Sequence, residues 1–273
     1  MAAVTVPWTV STQAPTPSRL VSIVPAVTEM LFAIGAGRRV VGVSSFDEHP
    51  PEVAGIAKVG GLIDPDVERL LSLAPDLVVV YATQRDLRAQ LDRAGVAQFP
   101  YTNTSLRGVP RTMRELGDRL GLAVEATRAA DAFERRHDAI RDRVAGLPRP
   151  RVLLVYGHDP RSLRSINASG RDGFHHDMLE LAGGINVLGE VNRTTVQITT
   201  EEILRLGPDV IIDLHYGNAA AADLDAEGAL WGRLAAVPAV RTGRVHVLAG
   251  DEFVVPGPRL AAATEQLAGA LHP

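Results

Sequence analysis

Two stretches 133 positions apart carry the same order of apolar and polar residues. Residues 66–79 read DVERLLSLAPDLVV, and residues 199–212 read TTEEILRLGPDVII. At this offset Glu68 meets Glu201, Leu70 meets Ile203, Leu73 meets Leu206, Pro75 meets Pro208 and Asp76 meets Asp209. Self-similarity at a fixed separation marks a repeated structural unit. Each copy predicts a short helix, a Pro-Asp break and a buried strand. Asp66 and Thr199 stand at N-cap positions, and Thr199 with Glu202 makes a capping box. Proline cannot continue a helix, so the chain turns at Pro75 and Pro208. Residues 77–80 and 210–212 are apolar without alternation, as in parallel strands covered on both faces.

Each half also opens alike. Residues 19–24 (RLVSIV) and 151–156 (RVLLVY) predict strands. Helices follow that close at Gly35-Ala36-Gly37 and Gly183-Gly184, and residues 40–43 and 186–188 continue as strands. The Gly-Ala-Gly lies at a helix end, where glycine serves as a C-cap; a dinucleotide fingerprint would sit between strand and helix. Between the halves, Ala129, Phe133, Ile140, Val144 and Leu147 recur at helical spacing, and Gly146, Pro148 and Pro150 stop the pattern. A helix over 124–146 would run about 34 Å. Helices alternating with such strands predict an α/β protein. The expected division is an N-terminal lobe over 1–122, a linking helix over 123–148 and a C-terminal lobe over 149–273. One stiff helix between the lobes implies little lobe motion.

Composition narrows the function. An apolar content of 46% supports a sizeable core. A net charge of −4, with the basic residues scattered, gives no reason to expect a nucleic acid or an anionic membrane as partner. The chain has no cysteine, which removes disulfides, thiolate metal sites and cysteine nucleophiles. No apolar run approaches the roughly 18 residues of a membrane span. Residues 1–19 lack a charged start and an apolar stretch, so no signal peptide is expected in this chain. With Pro7, Pro15 and Pro17 they read as an extended lead-in. No nucleophile elbow, phosphate loop, zincin motif or dinucleotide fingerprint is present, and Ser169 in Asn-Ala-Ser-Gly lacks the elbow spacing. The expectation is therefore a binding protein and not an enzyme. Two alternatives stay open: a receptor for a bare divalent metal ion, with three or four converging ligands, and a histidine-site metal-dependent enzyme.

From about Arg19 onward the chain resembles the iron-chelate and vitamin B12 periplasmic binding proteins. These are the helical-backbone, class III substrate-binding proteins of ABC transporters. The resemblance rests on RLVSIVPAVTEMLFAIGAG (19–37), VVGVSSFDEHPPE (40–52), Val59-Gly-Gly, both Pro-Asp repeats, LELAGGINV (179–187) and Pro256-Gly-Pro-Arg-Leu, all in order. It implies two Rossmann-like lobes with mostly parallel sheets, joined by one long α-helix, with the ligand in the cleft between them. It further implies a monomer that delivers a bulky metal chelate to an ABC permease dimer with its ATPase. The ligand class is a corrinoid such as vitamin B12, a ferric siderophore or haem. The metal would arrive with the ligand, no intrinsic cofactor being expected. The place of work would be the periplasm or cell surface.

In open α/β sheets ligands bind outside the carboxyl ends of the strands. The loops there predict a lining of Pro25, Ala26, Phe46, His49, Gly61, Leu62 and Tyr81 from the first half. The second half would supply His158, His175 or His176, Thr195, His215, Glu252 and Phe253. In similar B12-binding proteins aromatics stand near several of these points. Phe46 and Tyr81 match such places, whereas Leu62, Thr195 and Glu252 depart from them. His158, His175 and His215 are candidates for axial ligation of the chelated metal, imidazole being a good axial ligand. The alternative is that these are exposed polar loop residues. His137, His246 and His272 read as structural. Glu68 and Glu201 each stand near a helix start, where a carboxylate contributes roughly 0.3–1 kcal/mol against the dipole. The resemblance gives them a second role, docking to arginines of the permease.

Overall fold

The computed structural model describes residues 16–102, 105–159, 161–217 and 221–273; residues 1–15 of the expected lead-in lie outside them. The first lobe runs β1 (Leu20–Ser22), α1 (Pro25–Ala33), β2 (Val40–Val43), β3 (Ala57–Lys58), α2 (Val67–Ser72), β4 (Leu77–Tyr81), α3 (Arg85–Arg93), β5 (Ala97–Tyr101) and α4 (Gly108–Leu120). The linking helix α5 is Ala123–Val144. The second lobe begins β6 (Arg151–Gly157), β7 (Ile166–Ser169), α6 (Phe174–Leu181), β8 (Ile185–Asn186), β9 (Thr195–Ile198) and α7 (Thr200–Leu206). It continues β10 (Val210–His215), α8 (Ala221–Leu230), α9 (Pro238–Arg241), β11 (Val245–Ala249) and α10 (Leu260–Leu271).

The first sheet has the order β3-β2-β1-β4-β5, and its pairs are all parallel. The second has the order β11-β10-β6-β7-β9, with β8 beside β6. It is parallel except where β7 pairs antiparallel with β6 and β9.

The repeat folds as its residues predict. The Asp66 carboxylate accepts from Arg69 N at 2.9 Å, and Thr199 and Glu202 form the reciprocal box at 3.3 and 2.8 Å. Glycines at φ +84° (Gly35) and +85° (Gly183) close α1 and α6, a region open to glycine at no steric cost. A further device is common to both copies. Arg19 donates to the carbonyls of Leu73 and Ala74, and Arg151 donates to Leu206 O. Asp76 accepts from the Ser18 and Arg19 amides, and Asp209 accepts from the Arg151 amide at 3.0 Å. The start of the first strand of each lobe is thus tied to the end of the repeat helix.

Helix α5 has 22 residues and spans about 33 Å. It starts one residue earlier and stops two residues earlier than the 124–146 expected. Its buried face is Ala126, Ala130, Phe133, His137, Ile140 and Val144. His137 belongs to that stripe because its Nδ1 donates to Phe133 O at 2.9 Å and its ring lies 4.2 Å from the Phe133 ring. Leu147, expected on the stripe, lies past the helix end and is 42% exposed.

One buried cluster runs from the first sheet through α4, α5 and α10 onto one face of β6 and β10. A second, around Trp231, Val155 and Ile211, covers the other face of the second sheet. A core shared across α5 and α10 means that opening the lobes would expose apolar surface at about 25 cal/mol per Å². Two polar ties cross as well. Arg259 donates through Nε and Nη2 to Glu29 Oε1 at 3.0 and 2.7 Å, and the Leu106 amide donates to Asp177 Oδ2 at 2.8 Å.

Candidate ligand-binding site

The loop that leaves the carboxyl end of β2 lies near the second-lobe residues that follow β10 and β11. Burial and the Arg259 charge hold His49 below the usual histidine range, against the pull of Glu52, Glu252 and Asp251. Burial raises the Tyr216 hydroxyl, helped by Asp251 and by Glu48 of the first lobe. Glu48 and His49 therefore lie near Asp251, Glu252, Arg259 and Tyr216.

On the first-lobe side, Phe46 is 57% exposed, and its ring rests against Gly61: a Cβ there would come within 3.3 Å of it. Gln84 ties this turn to β4, donating to Leu62 O at 2.6 Å and accepting from Tyr81 N at 2.9 Å. Leu62, Ile63, Pro65, Tyr81 and Gln84 line an open groove of ≈ 740 Å³. Tyr81 is half-buried, its ring tilted 59° against that of Tyr101. Pro25 opens α1 and is partly exposed, as is His49. Ala26 is a correction: at 1% exposure it belongs to the core, because α1 turns its first residues inward onto the sheet.

On the second-lobe side, two predicted residues are core. Phe253 is fully buried. His175 is buried beneath it, its Nε2 donating to Phe253 O at 2.7 Å and its ring stacked 4.8 Å from Tyr156. Burial pushes its pKa down to about 4, so it is a neutral packing residue and no axial ligand. The next helical position, His176, is partly exposed and lies 3.3 Å from Asn186 Nδ2.

His158 is also corrected. Its side chain is 1% exposed, its Nδ1 donates to Asp159 O at 2.8 Å, and its Nε2 lies 3.0 Å from Asp213 Oδ2 and 3.4 Å from Glu227 Oε1. The Asp213 hydrogen bond raises its pKa to about 9 against the opposing effect of burial. With both nitrogens engaged inside the lobe, it has none to offer a ligand in the cleft.

His215 is different. Its Nδ1 donates to Glu227 Oε2 at 2.8 Å while its side chain remains 36% exposed. A carboxylate behind one ring nitrogen orients the other toward a metal. Tyr216 beside it is 57% exposed. Thr195 is exposed and accepts from the Tyr156 hydroxyl at 2.6 Å. Glu252 pairs with Arg259 at 3.3 Å.

Asp213, Glu227, Trp231 and the Glu29–Arg259 pair were not singled out in the sequence. A lone acid inside the apolar run VIIDLH was a usable signal for Asp213. Glu227 carried none. Glu68 and Glu201 are both exposed, at the second positions of α2 and α7.

The family model for "Periplasmic binding protein" matches residues 20–251. The vitamin B12-binding protein of Salmonella choleraesuis is 30% identical over 255 residues, 93% of this chain and 90% of its own length. An uncharacterized ABC transporter substrate-binding lipoprotein of Bacillus subtilis is 28% identical, covering 94% of this chain and 81% of its own. Among solved structures, a periplasmic haem-binding protein from Pseudomonas aeruginosa superposes with a TM-score of 0.81 at 26% identity, covering 94% of this chain and 93% of its own. With most of its length matched and its two-lobed α/β architecture shared, the chain belongs to the periplasmic binding protein family, among the iron-chelate and vitamin B12 binding proteins.

Proposed function

We propose that the protein is the extracytoplasmic substrate-binding protein of an ABC importer and carries a bulky metal chelate: a corrinoid, a ferric siderophore or haem. The observation that carries this reading is the pair of half-exposed rings, Phe46 and Tyr216, one from each lobe, with Glu48 of the Phe46 loop close enough to act on the Tyr216 hydroxyl. Large apolar side chains left facing solvent on converging loops suit a flat, partly apolar ligand. The names of the relatives, B12-binding and haem-binding, point to the same class. The ligand brings its own metal, and the lining consists of Pro25, Phe46, His49, Gly61, Leu62, Tyr81, Thr195, His215, Tyr216 and Glu252. His215, backed by Glu227, is the residue for axial ligation. The proposed division is an N-terminal lobe over 1–122, a linking segment over 123–148 and a C-terminal lobe over 149–273, and the protein works as a monomer in the periplasm or at the cell surface.

Glu68 and Glu201 dock the lobes to a dimeric permease driven by its ATPase. Their equivalence in the repeat, with both side chains exposed, supports this, since arginine–carboxylate contacts are position-specific. Thermal melting with haem, cobalamin, cobinamide and ferric siderophores tests the ligand class. One of these should stabilise the protein by about 2.7 kcal/mol at a hundredfold excess over Kd. If none shifts the melt, the chelate reading fails. The Glu68→Ala, Glu201→Ala double variant should keep ligand affinity and lose permease-dependent uptake.

A further inference from the structure

We propose that His158, Asp213 and Glu227 form a site for one divalent transition-metal ion of the zinc class, held inside the second lobe and separate from the chelate in the cleft. The inference does not rest on the chelate reading, and either can fail alone. The three residues come from three elements. His158 follows β6, Asp213 lies in the adjoining strand β10, and Glu227 reaches in from α8. One ligand atom from each lies within 4.8 Å of the others.

The separations suit a shared cation. Donors about 2.1 Å from a metal stand about 3.0 Å apart at right angles and about 3.4 Å apart at the tetrahedral angle. His158 Nε2 lies 3.0 Å from Asp213 Oδ2 and 3.4 Å from Glu227 Oε1. The tautomer agrees. Nδ1 faces the Asp159 carbonyl, which can only accept, so Nδ1 keeps its hydrogen; Nε2, which shares its own hydrogen with Asp213 in this structure, is the nitrogen a metal would take in place of that proton.

Charge bookkeeping gives the same direction. The side chains of Asp213 and Glu227 are 2% and 15% exposed, and among the described residues their ion pairs are only with His158 and His215. These two enclosed carboxylates meet only imidazole partners, and a divalent ion would bring one more positive charge to them than the His158 proton it displaces. Every ligand also has an outer partner. The Asp159 carbonyl holds His158, Trp231 Nε1 donates to Asp213 Oδ2 at 2.8 Å, and His215 Nδ1 donates to Glu227 Oε2 at 2.8 Å. Such second contacts set ring tautomer and carboxylate orientation at metal centres.

One imidazole and two carboxylates, in a chain without cysteine, select zinc or manganese over calcium and magnesium, which prefer all-oxygen shells. Three protein ligands leave a position for water or a further group. An ion there would pin α8 to the sheet beside His215, so it would also steady one wall of the cleft.

The test is titration calorimetry of the whole chain, stripped with chelator, against ZnCl2 and separately MnCl2 near neutral pH. One ion per chain should bind, with micromolar or tighter affinity for zinc. Glu227→Gln and Asp213→Asn should each weaken it by about 100-fold or more, and Trp231→Phe by about 10-fold. His272→Ala, a histidine away from the cluster that donates to Ala182 O, should leave binding unchanged. If Asp213→Asn does not fold, Glu227→Gln at the more exposed position still decides. Absence of stoichiometric binding of either ion by the stripped wild type overturns the site. So does binding within threefold of wild type in Glu227→Gln, or an X-ray absorption spectrum of the zinc-loaded chain lacking an imidazole and oxygen shell.

Discussion

The two lobes share a frame and differ in what they bury at one equivalent position. Val80 in β4 and Asp213 in β10 are 133 residues apart, one position beyond the matching stretches, and both are nearly inaccessible, at 0% and 1%. Around Val80 the first lobe packs apolar groups on both faces of its sheet, and the polar end of its strand is reached only at Tyr81. Around Asp213 the second lobe had to supply His158, Trp231 and, through α8, Glu227. One substitution of strand chemistry therefore organises a charged cluster that the first lobe lacks at that position. The capping residues, the arginine ties and the Pro-Asp breaks are common to both, so the frame does not account for the difference. It comes from what surrounds a single strand position.

The most severe way to break this comparison is to make the first lobe imitate the second. Val80→Asp places a carboxylate among the apolar neighbours of the first-lobe core. It should cost about 4 kcal/mol, seen as a lowered urea midpoint. A loss below 1 kcal/mol would mean that the strand position is not what sets the lobes apart.

The contact between lobes comes next. Arg259 is the partner of the Glu29 carboxylate, whose side chain is 4% exposed and whose pKa burial pushes up while Arg259 pulls it down. Arg259→Met should cost about 3 kcal/mol, with partial recovery when Glu29→Gln is added. No recovery in the double variant would show that packing of Arg259, and not its charge, joins the lobes.

Acid should act on the second lobe through His175. Its folded pKa of about 4 lies below the ordinary 6.5, so the fold holds the neutral ring. Its contribution is complete above about 6.5 and is lost as pH falls through about 4. That loss is worth about 3 kcal/mol. Denaturant midpoints measured across this range should show it, and His175→Gln should flatten that part of the profile. An unchanged slope in the variant would assign the acid sensitivity to other groups.

The smallest effect separates the two helix ends of the repeat. Ala74 sits at φ +47° where the second copy has Gly207 at +53°. A side chain in this region costs about 1 kcal/mol. Gly207→Ala should therefore lower stability by about 1 kcal/mol. Ala74→Gly should raise it by about 0.5 kcal/mol, the relief being partly offset by a freer unfolded chain. Equal effects of the same sign at both sites would break the equivalence.

Much of this architecture was legible in the residue order, since capping boxes, proline breaks, glycine C-caps and uninterrupted apolar runs act within a few positions. The strands at β4 and β10, the ends of α1 and α6 and all but the margins of α5 follow from such local rules. The site was legible only as a set of loops. Phe46 is exposed and His215 partly so, whereas Ala26, His175 and Phe253 went inside and His158 turned to its own lobe. Nothing in the local pattern distinguishes His175 from His176; the packing of α6 on Tyr156 and Phe253 decides which ring is buried.

The sequence by itself determined the repeated α/β unit, the long connecting helix and the absence of thiol chemistry. These depend on hydrogen-bond caps, side-chain periodicity and residue type, all carried by near neighbours. Tertiary structure alone decided that Asp213, Glu227 and His158 meet, and that Arg259 crosses 230 residues to Glu29. Such meetings depend on how separate elements pack, and burial then turns an ordinary charge into one that must find a partner.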